Sequence, residues 1–210
     1  MQKKQTLLMP VCDSSAIGTA CEYLQDGKLI VFPTDTLYGV ACDPWNPSAL
    51  REIYKAKGRS TLKAIPVLVG APTQLDAVIE IVPPAARALM EHFWPGALTL
   101  VLPKKAELPE VLTPYPGLAV RMPAHPFALS LLQEFGPLAV TSANLSGQDN
   151  PKTAAEVIEQ LSGRVDLVLD GGPLSGGQAS TIIDGSAEKP VLLREGPIAF
   201  ADVLRVWERP

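Results

Sequence analysis

Four apolar segments of the chain end in side chains suited to binding small charged ligands. "IVFPTDT" closes on Thr34, Asp35 and Thr36, with Tyr38 just beyond, and "LAVRMP" closes on Arg121. "LAVTSANLSG" runs into Thr141, Ser142, Asn144 and Ser146, and "VLLREG" ends in Arg194. Hydroxyls and amides orient a ligand through directional hydrogen bonds, and a guanidinium takes a carboxylate or phosphate in a two-point grip. Each alone fits an ordinary strand-to-loop turn, where Thr, Ser, Asn and Asp are common. Four together point to one polar pocket, because ligands of open α/β sheets bind at the carboxyl ends of strands.

A second feature is cationic. "KAKGRSTLK" places Lys55, Lys57, Arg59 and Lys63 within nine residues. Lys55 and Lys57 suit the C-terminal turn of a helix, where positive charge offsets the helix dipole. Arg59 and Lys63 lie past Gly58, in a loop. There an Arg fork and an ammonium suit a polyphosphate.

Standard catalytic sets are missing. The sequence has no GxxxxGK[ST] loop, no GxGxxG after a strand and no GxSxG elbow. "DGGPLSGGQAS" (170–180) reads equally as a loop approaching phosphate or as a flexible connection. His92 sits in a helical segment, and His125, before Pro126, reads as opening a helix. Ser142 has no nearby His-Asp pair, so chemistry here would rest on positioning and charge rather than covalent attack. Cys12, Cys21 and Cys42 are odd in number and widely spaced. They suggest neither a zinc site nor a disulfide framework and suit a reducing cytoplasm. No protein-ligated metal is expected.

These groups need a scaffold. The 210 residues are 47% hydrophobic and 19% charged, which suits one globular α/β domain spanning 1–210. The net charge of -4 argues against a nucleic-acid-binding surface as a whole. "MQKKQTLLMP" has an apolar run too short for a signal peptide or membrane span. Helices are expected in "SSAIGTACEYLQDG", "NPSALREIYKAKG", "PPAARALMEHFWPG", "HPFALSLLQEFG", "TAAEVIEQLSG" and "AFADVLRVW". In the second, Asn46 is the expected N-cap, Pro47 the first helical residue and Gly58 the stop. Strands are expected in "KLIVF", "IPVLVG", "ALTLVL", "LAVR", "PLAVTS", "VDLVLD", "ASTIID" and "PVLLR". Some follow one another with no helix between, so the sheet should be mixed.

The motifs "FPTDTLYGV", "KAKGRS", "WPGALTLVL", "AVRMPAHP", "TSANLSG", "STIID" and "VLLREGP" occur in this order. Together they resemble the YrdC/TsaC family of threonylcarbamoyl-AMP synthases, of the short single-domain type, over about residues 14 to 200. The resemblance implies a twisted, open, mixed sheet flanked by helices around a concave, electropositive cavity. It implies an enzyme that condenses L-threonine, bicarbonate and ATP into threonylcarbamoyl-AMP and pyrophosphate, with Mg²⁺ accompanying the ATP. A transferase complex would then pass the threonylcarbamoyl group to tRNA beside the anticodon.

By the same resemblance, Thr36 would contact threonine, Thr34 and Tyr38 would shape its pocket, and Arg121 would pair with its carboxylate. Val140 and Ser180 complete the threonine set. Lys57 and Arg59 would hold ATP phosphates as the catalytic pair. Lys63, Ser142, Asn144, Asn150 and Arg194 complete the ATP set. The chain departs from the family at Ser60 and Ala64, where proline is usual, and at Gly117, where some members have a threonine.

Three other readings compete, the plainest being a structural α/β protein with no chemistry, which the seven ordered motifs argue against. A basic concave surface could bind double-stranded RNA or tRNA by shape and phosphate contacts without catalysis. A carbamoyl-transfer domain of hydrogenase maturation shares the motif style, but those proteins are far longer and carry zinc-finger cysteines.

Overall fold

The computed structural model describes residues 5–208. The chain runs β1 (Leu7–Pro10), α1 (Ala16–Gln25), β2 (Ile30–Pro33), β3 (Tyr38–Cys42), α2 (Pro47–Lys57) and β4 (Val67–Leu68). A 3-10 turn at Pro72–Ala77 leads to α3 (Pro84–Phe93), β5 (Leu98–Pro103), β6 (Gly117–Arg121), α4 (Pro126–Phe135) and β7 (Leu138–Ser142). The remainder is α5 (Ala154–Leu161), β8 (Leu167–Asp170), β9 (Thr181–Asp184), β10 (Val191–Arg194) and α6 (Phe200–Trp207).

All the strands join one open sheet in the order β1-β8-β2-β3-β7-β4-β6-β5-β9-β10. It is mixed, as expected. β2 and β4 pair in parallel with β8 and β6, while β3 pairs antiparallel with both β2 and β7. The expected caps of α2 are present. Asn46 Oδ1 accepts from the Ser48 and Ala49 amides, and Gly58 ends the helix at φ 58°, a left-handed value glycine adopts freely.

Strand periodicity divides the interior in two. Side chains alternate across a strand, so neighbours in sequence face opposite sides of the sheet. Tyr38, Val40, Val67, Leu98, Leu100, Val120 and Ile183 pack into one core with α2, α3, α5 and α6. Ile30, Phe32, Ala41, Leu68, Val140 and Leu167 face the other side, where α1 and α4 pack together. Those two helices reach β2 and β8, leaving the face farther along the sheet for a cavity.

Two strands escape the sequence reading. β3 is buried at every residue, so it lacks the in-out alternation that marks a half-exposed strand, and it directly follows the hydroxyl-rich turn. β1 owes its conformation to a distant partner, pairing Leu7 with Leu167 and Pro10 with Asp170. The sheet therefore begins ahead of the 14–200 core marked out by the motifs. β4 is shorter than "IPVLVG" suggested, a single pair of residues between β6 and β7.

Candidate functional site

A cavity of about 270 Å³ lies along the sheet face away from the larger core. Seven adjacent strands contribute to its lining: Gly39 from β3, Val140 and Ser142 from β7, Leu68 from β4, Arg121 from β6, Thr99 from β5, Ile182 from β9 and Arg194 from β10. Thr99 lies between Leu98 and Leu100, and Arg121 follows Val120, which all face the opposite core. The two-residue period thus turns Thr99 and Arg121 toward the cavity.

The turn joining β2 to β3 supplies the hydroxyls. Thr34 Oγ1 accepts from the amides of Thr36 and Leu37 at 3.2 and 3.1 Å and donates to the Leu37 carbonyl at 2.6 Å. This is a side-chain-closed turn, the kind Thr and Ser form at chain reversals. Thr34 is therefore occupied in shaping the turn, while Thr36 Oγ1 accepts from Arg121 Nη1 at 2.7 Å. Arg121 also donates from Nε to Gly96 O at 2.7 Å and from Nη2 to Asp35 Oδ1 at 2.5 Å. Burial works against the Arg121 charge, and Asp35 works to hold it.

The glycine-rich segment covers this turn. The Gly177 amide donates to Thr36 O at 3.1 Å, and a Cβ on Gly176 would lie 2.9 Å from the carbonyl oxygens of both Asp35 and Thr36. The segment's start is pinned by Tyr38, whose hydroxyl donates to Gly172 O at 2.7 Å and accepts from the Gly171 amide at 3.1 Å. Burial pushes that phenol up to about 12. Of the two readings left open for residues 170–180, the structure shows a strap packed on the hydroxyl turn.

At the other end of the cavity, Ser180 Oγ and Thr99 Oγ1 are 2.7 Å apart. Arg194 clamps Ser180, donating from Nη2 to its carbonyl at 2.8 Å and to its hydroxyl at 3.2 Å. The β9–β10 ladder shifts register between Leu192 and Arg194. Such a bulge re-aims the side chain that follows it. Burial and the nearby Arg121 charge both lower the Arg194 pKa.

The basic loop is tied down without the family's prolines. Arg59 donates from Nη2 to Ala64 O at 3.0 Å, the Lys63 amide donates to Ser60 O at 3.1 Å, and the Leu62 amide donates to Ser60 Oγ at 3.3 Å. Lys57 is 2% exposed and lies behind the loop after β7. Its ammonium donates to Ser142 O, to Asn144 O at 2.5 Å and to Asn144 Oδ1 at 3.2 Å. Burial, then the Arg59 charge, pull its pKa down to about 7, against the three oxygens that favour the ammonium.

The cavity gathers Thr34, Thr36, Tyr38, Arg59, Arg121, Val140, Ser142, Asn150, Ser180 and Arg194 from the expected set. Lys57, Lys63 and Asn144 fall outside its lining. Lys57 and Asn144 stand behind Ser142, with Asn144 Oδ1 accepting from Ser142 Oγ at 2.5 Å. Lys63 is exposed and contributes its carbonyl to Tyr54 and Arg59. Sequence reasoning missed Thr99 and Leu68. Thr99 could have been found as the one hydroxyl interrupting the apolar run "ALTLVL". His125 precedes α4 as expected, and its buried Nδ1 has no hydrogen-bond partner among the described residues. Burial lowers its pKa, against the pull of Asp35.

The fold and this arrangement define a class, and comparison with known proteins agrees. The chain belongs to the Sua5/YciO/YrdC family, whose model, described as telomere recombination, matches residues 22–196. It is 41% identical over 185 residues to the threonylcarbamoyl-AMP synthase of Bacillus subtilis, covering 87% of this chain and 54% of that protein. A crystal structure of P. abyssi Sua5 complexed with L-threonine superposes with a TM-score of 0.89 at 36% identity, covering 96% of this chain and 60% of that one. The E. coli YciO structure superposes with a TM-score of 0.83 at 26% identity, covering 97% of this chain and 100% of that one. The chain thus spans little more than half the length of the B. subtilis relative.

Proposed function

We propose that this chain makes L-threonylcarbamoyl-AMP from L-threonine, bicarbonate and ATP, a nucleotidyl transfer that releases pyrophosphate. The observation that carries the reading is Arg121. It is a 5%-exposed guanidinium at the cavity wall, set among the hydroxyls of Thr36, Ser180 and Thr99. A buried cation beside clustered hydroxyls suits a small hydroxy-amino acid held by its carboxylate. The L-threonine in the P. abyssi Sua5 crystal structure supports the same choice.

In this reading the ammonium of threonine gives up a proton, and the free amine condenses with bicarbonate to a carbamate and water. A carbamate oxygen then attacks the α-phosphorus of ATP, and pyrophosphate leaves. Such a displacement asks for alignment and charge neutralisation rather than a protein nucleophile. Arg59 and Arg194 supply positive charge, making the cavity electropositive, while Ser142 and Asn150 orient the nucleotide. Lys57 acts from behind by fixing the carbonyls around Ser142 and Asn144. The strap at 171–177 limits water around the carbamate.

Among the described residues, no three His, Cys, Asp or Glu side chains gather in a metal-holding group. Mg²⁺ would arrive with ATP, since this ion is commonly held by substrate phosphates and few protein oxygens. Among the described residues, no helix is long and apolar enough to cross a membrane. We place the protein in the cytoplasm, where Cys12, Cys21 and Cys42 would stay thiols and a tRNA-modifying transferase complex would take the product. Calorimetric titration tests the reading. L-threonine should bind to the wild type and weaken sharply with Arg121→Ala, and equal binding to both would refute the carboxylate assignment.

A further inference from the structure

Asp35 has no part in the chemistry set out above, yet it makes the shortest contact to the arginine on which that chemistry depends. Its side chain is 18% exposed, and Oδ1 lies 2.5 Å from Arg121 Nη2. The same guanidinium donates from Nη1 to Thr36 Oγ1 and from Nε to Gly96 O, both at 2.7 Å. A guanidinium carries five N–H donors in one plane. Three acceptors fix that plane completely and leave one N–H on each terminal nitrogen, which is the number a carboxylate can take with two oxygens.

The acceptors are themselves held. Thr36 O accepts from the Gly177 amide, and Gly176 is packed against the carbonyls of Asp35 and Thr36. The Gly96 amide donates to Met122 O at 2.9 Å, next to Arg121 in the chain. Asp35 is thus the only charged member of a rigid collar around Arg121.

We propose that Asp35 is a positioning residue. It locks the Arg121 plane so that the two remaining N–H groups meet the carboxylate of the amino-acid substrate. The proposal rests on the L-threonine reading for the identity of that substrate. A rival role has the opposite sign. An Asp35 that merely neutralised Arg121 would compete with the substrate carboxylate, and its removal would tighten binding.

The test uses Asp35→Ala and Asp35→Asn, the second keeping an oxygen that can accept from Arg121. Titration with L-threonine and with L-threoninamide, which lacks the carboxylate, should show a roughly tenfold weaker L-threonine affinity in Asp35→Ala, the scale of one charge-assisted hydrogen bond. L-threoninamide affinity should not change, and Asp35→Asn should recover part of the loss. L-threonine affinity that is unchanged or tighter in Asp35→Ala overturns the proposal. Hydrogen exchange at the arginine Nε, followed by NMR without any ligand, separates this outcome from failure of the functional reading. Faster exchange at Arg121 in Asp35→Ala supports the collar even if the wild type binds no threonine. Unchanged exchange in both variants overturns it.

Discussion

Arg121 Nη1 donates to Thr36 Oγ1 over 2.7 Å, joining residues 85 apart in sequence. The bond ties the end of β6 to the turn between β2 and β3, across the two intervening strands β7 and β4. It turns two ordinary strand endings into one wall of a cavity.

Arg121→Ala should therefore remove the carboxylate partner and leave Asp35 unpaired. Loss of a charge-assisted contact costs about 1.5–3 kcal/mol, or roughly ten- to 150-fold in kcat/KM for threonine. The melting temperature should also fall, because a partly buried carboxylate is left alone. Steady-state kinetics with threonine varied at saturating ATP check the first effect, and a thermal melt checks the second.

Thr36→Ala is milder. A neutral hydrogen bond contributes about 0.5–1.5 kcal/mol, so the threonine KM should rise roughly two- to tenfold. The ATP KM should stay within about twofold of wild type. Equal losses for both substrates would contradict the assignment.

Arg59→Ala should act on the nucleotide instead. The side chain lines the cavity and also ties the loop through Ala64 O. The expected cost is roughly ten- to 150-fold in kcat/KM for ATP. L-threonine binding measured without ATP should persist.

Gly39 and Val140 both line the cavity and lie close together. A Cβ on Gly39 would meet Val140 Cγ1 at 2.6 Å. Gly39→Ala should force Val140 aside and raise the threonine KM. Gly39→Ala with Val140→Ala should restore much of the affinity, and kinetics of the double variant provide the check.

Lys57 links stability to pH. Its pKa of about 7 in the folded protein lies below the ordinary 10.5, so between those values the unfolded chain binds more protons at this site. The stability it contributes should therefore rise with pH across that window, by at most about 1.4 kcal/mol per pH unit. Denaturant melts of wild type and Lys57→Met at several pH values isolate the effect. The wild-type minus variant difference should grow from pH 7 upward, and a flat difference would mean the three oxygen acceptors keep Lys57 charged.

Much of this was legible in sequence because it is local. Asn46, Pro47 and Gly58 mark the ends of α2 by rules spanning a few residues, and each polar cluster announces itself at the end of an apolar run. What was hidden depends on pairing between distant strands. The pocket expected at four strand ends runs instead across seven strands, in part because the antiparallel pairing of β5 with β6 brings a strand beginning beside a strand end. The parallel β5–β9 pair aligns two strand beginnings, so Thr99, second residue of β5, meets Ser180, which immediately precedes β9. Lys57 was expected among phosphates by its place in "KAKGRS". Burial places it behind the Ser142–Asn144 loop, and only the packing of α2 on β3 reveals that.

The most direct test is incubation of the purified protein with ATP, Mg²⁺, L-threonine and labelled bicarbonate, followed by chromatography for a labelled adenylate. The account predicts a product that needs both threonine and bicarbonate, forms with stoichiometric pyrophosphate and is lost with Arg121→Ala. Label-free adenylate, or salt-dependent RNA binding with no ATP turnover, would contradict it.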